Sequence, residues 1–94
     1  MIHYHALVAT PHAGTYLFKL CKHFARKVPV EFDAQRGQVC FPYGRCVLES
    51  GTDGLRLRSS GESLAQVQQV MAVLDSHLAL MTRQAPLQIA WQPD

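Results

Sequence analysis

Lys19, Lys22, His23 and Arg26 place three permanent cations and one titratable imidazole within about two turns of a single predicted helix. At 100° per residue, His12, Lys19, His23 and Arg26 fall on a narrow strip. The strip runs beside an apolar seam of Ala13, Tyr16, Leu17, Leu20, Cys21 and Phe24. Such a strip could hold an anionic ligand. Lys19, Lys22 and Arg26 would then supply charge, and His23 a donor that titrates near neutrality. The same strip could meet an acidic partner, or simply be the solvated face of a surface helix.

Other chemistries fare less well. His3 and His5 share one side of a predicted strand, a spacing that can clamp an ion. His12, His23, His77 and Cys21 could add ligands only if the two helices lie side by side. No Cys-x-x-Cys or His-x-x-x-His occurs, so no metal site is assigned, with His23 and His77 as the candidate ligands were one present. Cys21 and His23 stand two apart on a helix, about 200° around the axis, and cannot hydrogen-bond as a nucleophile and base. Cys40 is expected on the open sheet face and Cys46 in the core. No glycine-rich phosphate loop or nucleophile elbow is present, and no catalytic residue is assigned.

The elements that must position these residues follow from periodicity. Residues 2 to 9 read as a strand. Thr10-Pro11 opens a first helix, with Thr10 as cap, that continues to about Lys27 and is stopped by Pro29. Val28, Val30 and Phe32 share the inward face of a second strand. Gln35-Arg36-Gly37 turns the chain, and Val39 and Phe41 resume that face. The inward phase then shifts to Cys46 and Leu48, which places a tight turn at Pro42-Tyr43-Gly44 in preference to a bulge. Ser50-Gly51-Thr52-Asp53-Gly54 is a hairpin connection leading to inward Leu55 and Leu57. Ser59 and Glu62 have capping-box spacing and open a second helix to about Thr82, with Leu64, Val67, Met71, Leu74 and Leu78 as its buried seam. Leu87, Ile89 and Trp91 alternate after Pro86 and suggest a short last strand. The expected fold is α+β, a two-layer sandwich with both helices on one face of an antiparallel sheet. Its order, β-α-β-β-β(-β)-α, is like that of TATA-binding-protein-like folds.

Ninety-four residues, 48% hydrophobic and 17% charged, form a single domain over 1–94 with one modest core. A net charge of +2 does not call for nucleic acid, and only Phe18 among the aromatics lies on the cationic side of the first helix. No leader or membrane span is read. Three cysteines without zinc-type spacing fit a reducing cytoplasm.

Tyr16-Leu17, Leu20-Cys21-Lys22-His23-Phe24, Lys27-Val28-Pro29-Val30, Phe41-Pro42-Tyr43-Gly44, His77-Leu78 and Trp91 together resemble a bacterial family, domain of unknown function 2218. The resemblance implies a small α+β domain without an assigned activity or cofactor. Some relatives are joined to siderophore-interacting flavin reductases, which implies a link to iron metabolism and a flavin reductase as partner. The chain departs from the family pattern at Arg26 (histidine there), Thr15 (arginine) and Leu80-Met81 (arginine-phenylalanine).

Two functions are expected from these readings. The first is a binding or accessory module using the first-helix strip; the second is an enzyme or enzyme subunit of iron or redox metabolism using His23 and His77. Phe18, Val73 and Leu80 point away from the apolar seams and suggest a homodimer packed through the helices. If so, Leu80→Arg weakens assembly, seen as a shift from dimer to monomer mass; an unchanged dimer mass contradicts that interface.

Overall fold

The computed structural model describes residues 1–83 and 87–94. Its elements are β1 (Ile2–Val8), α1 (Ala13–Phe24), β2 (Val30–Phe32), β3 (Arg36–Phe41), β4 (Gly44–Gly51), β5 (Gly54–Gly61), α2 (Leu64–Met81) and β6 (Gln92–Pro93). The strands form one antiparallel sheet in the order β2-β3-β4-β5-β1-β6. Alternation sends Ala6, Val8, Val39, Cys46, Leu48, Leu55 and Leu57 to one face. Both helices cover that face, α1 over β2 to β5 and α2 over β5, β4 and β1. The expected architecture is therefore the observed one. No helix among the described residues is long and apolar enough to cross a membrane.

Several boundaries differ, each for a local reason. Thr10 does not cap α1: its Oγ1 accepts from the His12 N–H, and the helix begins only at Ala13. The far end of α1 tightens into i→i−3 turns, with Arg26 N–H donating to His23 O and Lys27 N–H to Phe24 O. Arg26 and Lys27 thus leave the 100° progression of the helix. The turn predicted at residues 35–37 sits one step earlier, because Asp33 Oδ1 accepts from both the Gln35 and Arg36 N–H groups. Those two bonds hold the Asp33 carboxyl below its ordinary range. Phe32 is on the inward face as expected, paired with Gly37 and packed against Phe18 of α1, but it is exposed at the edge of the sheet.

The largest correction concerns α2. Ser59 is no cap; it is buried in β5 opposite Cys46, and the strand runs on to Gly61. Ser63 is the cap, its Oγ accepting from the Gln66 N–H at 3.2 Å. Leu64 is consequently 47% exposed, and Val70 takes its place in the buried seam with Val67, Met71, Leu74 and Leu78. Exchanging Leu64 for Val70 rotates the buried face by roughly 25° toward positions 73 and 77. The final strand is also displaced: Leu87, Ile89 and Trp91 are half-buried against the core without strand pairing, and β6 covers only Gln92 and Pro93. Pro86 lies outside the described residues. Trp91 Nε1 donates to Asp75 Oδ1 at 2.9 Å, tying this segment to α2.

Pro42 and Tyr43 form a two-residue turn, with Phe41 paired to Gly44 in register. Gly44 permits the turn to lie close beneath α2. A Cβ there would stand 2.4 Å from Ser60 O and 2.7 Å from Val70 Cγ2, closer than packed atoms come. Gly44→Ala is expected to cost about 1–3 kcal/mol, the range for overpacking a well-filled site, measured by urea denaturation. An unchanged midpoint contradicts that packing.

Candidate functional site

The helices meet where α1 ends and α2 passes over it, and there His23 and His77 come together. Their Nε2 atoms stand 3.1 Å apart. His77 Nδ1 lies 2.7 Å from Val73 O, one turn earlier on α2. A carbonyl only accepts, so Nδ1 carries the proton and the Nε2 of neutral His77 offers a lone pair. His23 Nε2–H donates to it. The His23 imidazolium is disfavoured, foremost by desolvation against the cleft wall, then by His77, Arg26 and Lys27.

A chain of aromatic rings leads away from this pair. The Phe24 ring lies 4.8 Å from that of His77 and 5.3 Å, edge to face, from that of Phe41. Phe41 stacks on Tyr43 at 5.3 Å with the planes 9° apart. The tight turn makes this stack possible by returning Tyr43 beside Phe41. Between the rings and the helices opens a cleft of about 300 Å³, walled by Phe24, Val28, Phe41, Tyr43 and Val73. His23, His77 and Lys27 also line it. A larger depression of about 460 Å³ lies around Met1, Arg45 and Gln66 on the other side of Tyr43. It contains neither histidine, so the smaller cleft is the candidate site.

The cationic strip is divided by the fold. His23 enters the cleft, and Arg26 is near enough to oppose its protonation. Lys22 Nζ instead sits 5.4 Å over the Phe18 ring, and Lys19 is exposed on the shaft of α1. Lys27 lines the cleft although the strip did not include it. Phe18, 50% exposed, lies against Phe32 with centroids 6.0 Å apart, and Leu80 is 61% exposed. Val73 does not stand clear of the core as expected from periodicity; it is half-buried and forms part of the cleft wall. Phe41-Pro42-Tyr43-Gly44 was visible as a motif and a turn, but its aromatic wall depends on which helix ends cover it.

The other candidates separate. His3 and His5 lie on the open sheet face, where His5 and Arg58 engage the Asp94 carboxylate. The His5 hydrogen bond is the main cause of that carboxyl's lowered pKa. Among the described residues, no three histidine, cysteine or acidic side chains converge as a ready metal site.

Comparison with known proteins places the chain. The model of an uncharacterised protein family conserved in bacteria, domain of unknown function 2218, matches residues 5–92. The chain belongs to this family. The NMR structure of PA4090 from Pseudomonas aeruginosa is similar, with a TM-score of 0.83 and 30% identity over 99% of this chain and 97% of that one. No curated protein matches. The family description carries no activity, so the site must be argued from its own geometry.

The thiols do not contribute to the cleft. Burial pushes Cys21 up to about 11 and Cys46 up to about 12. Cys21 also packs against Gly37, where an added Cβ would lie 2.5 Å from its Sγ. Cys40 faces the open side of the sheet and borders the larger depression. A disulfide-exchange reagent at pH 8 is therefore expected to label one thiol quickly, at Cys40, and the other two only after denaturation. Rapid labelling of all three in the native protein contradicts this burial.

Proposed function

We propose that this domain is a binding module that holds a small, flat, anionic ligand in the cleft between the ends of its helices and the β3–β4 turn. The observation that supports this most is the composition of the cleft. Stacked and edge-on rings of Phe24, Phe41 and Tyr43 meet His23, His77 and Lys27 around one opening of about 300 Å³. That volume lies at the lower end for small-molecule sites, and apolar walls with a few polar groups are their usual lining. A flat apolar body fits beside the rings, and an acidic group on it meets the Lys27 ammonium at the same opening. The expected strip is thereby narrowed: His23 and Arg26 belong to this reading, and Lys19 and Lys22 do not.

A second reading draws on the same histidine contact. Proton transfer between His23, His77 and a bound compound would make the domain an enzyme. It predicts chemical change in a bound compound that His77→Ala abolishes, whereas a binding module returns its ligand unaltered.

Benzoate, with phenol as its uncharged counterpart, tests the binding reading by two-dimensional NMR titration in EDTA. Benzoate is expected to shift signals of Val28, Phe41, Tyr43, Val73 and His77 together. Lys27→Gln should weaken benzoate about two- to fivefold, the range of an exposed ion pair, and leave phenol unchanged. Shifts scattered away from the cleft, or benzoate affinity indifferent to Lys27→Gln, overturn it.

A further inference from the structure

We infer that His23 and His77 form a two-nitrogen seat for a divalent first-row transition-metal ion, with its remaining coordination positions open to the cleft for an oxygen donor of the anionic ligand. The inference rests on the binding reading above and names how that ligand is recognised.

Distance is the first observation. An ion 2.0–2.1 Å from each Nε2, the ordinary metal–imidazole length, would subtend an angle of about 100° across the observed 3.1 Å separation. That angle lies between the square and tetrahedral values, so no rearrangement of the helices is required; the ion displaces the His23 Nε2 proton, which moves to Nδ1 or passes to solvent. Ring orientation is the second. The centroids are 4.7 Å apart and the planes inclined by 54°. Two imidazoles meeting head-on through these nitrogens would stand farther apart, so the rings are tilted and the hydrogen bond between them is not collinear. The third observation is the Val73 carbonyl. By accepting the His77 Nδ1 proton it fixes the tautomer that leaves Nε2 free, as the outer partners of metal-bound histidines do.

Two imidazoles leave a tetrahedral or larger coordination sphere incomplete, and no third histidine, cysteine or acidic side chain among the described residues joins them. Arg26 and Lys27 also stand near His23 and oppose a bare cation. Both facts point to an anionic co-ligand, whose oxygen would fill a vacant position and offset the local positive charge. A chelating aromatic hydroxyacid such as salicylate meets both requirements. Its ring suits the aromatic wall, and its carboxylate and phenol oxygens reach one ion.

Zinc titration by calorimetry tests this, using the metal alone and then the metal with salicylate. One Zn²⁺ per chain is expected. His23→Ala and His77→Ala should each lower affinity at least about tenfold, with an unchanged amide spectrum showing that each variant is folded. The double variant His3→Asn, His5→Asn should bind as the parent does. Salicylate should tighten zinc, and zinc tighten salicylate by the same factor. No zinc uptake, uptake indifferent to His77→Ala, or uptake lost with His3 and His5 overturns the inference. Benzoate binding in EDTA without zinc uptake sinks the metal seat alone; zinc uptake without benzoate binding in EDTA sinks the metal-independent binding reading.

Discussion

Two helices share the one apolar face of an antiparallel sheet, and the position of every cleft residue depends on that constraint. Leu17, Leu20, Cys21 and Phe24 of α1 and Val67, Val70, Leu74 and Leu78 of α2 are all buried over the same strands. Helices so packed lie about 8–10 Å apart, near enough for side chains on their facing flanks to touch. His23 follows Lys22 on the flank of α1 beside buried Phe24, and His77 precedes buried Leu78 on α2. Apolar burial of the two helices brings the imidazoles to 3.1 Å, where the His23 Nε2–H donates to His77 Nε2. Desolvation at this packed position, and then the neighbouring His77, Arg26 and Lys27, disfavour the His23 imidazolium.

The sheet contributes the opposite wall through a short turn. Because Pro42 and Tyr43 connect β3 to β4 without a bulge, Phe41 and Tyr43 lie on the same side and stack. Gly44 lets that turn approach α2, and the tightened end of α1 carries Lys27 to the opening. Each of these features is local, and none would make a site without the helix pair above it. The open face of the sheet differs in kind. There Arg58 and His5 meet Asp94, and Arg56 meets Asp53, an arrangement of mostly solvated ion pairs.

The order of elements was legible because alternation in the strands and the 3.6-residue period in α1 are strong signals. The turn at Pro42-Tyr43 was legible from the change of inward phase. The start of α2 was not, because Ser59 and Glu62 have capping-box spacing, whereas the cap is Ser63, whose Oγ accepts from the Gln66 N–H. That error rotated the predicted seam and left Val73 on the wrong side of it. Placing Lys27 in the cationic strip required knowing that α1 tightens after Phe24, which no side-chain period reveals. His23 and His77 stood out singly as imidazoles, but their distance is a property of helix packing, and no spacing along the chain encodes it.

The central claim is that packing fixes His77 with Nδ1 protonated and Nε2 turned to His23. Long-range proton–nitrogen NMR of the imidazoles, in metal-free protein above pH 7, reads both points together. The account predicts a protonated Nδ1 and an unprotonated Nε2 for His77, with cross-relaxation between the two rings. A His77 protonated at Nε2, or two rings without cross-relaxation, would contradict it.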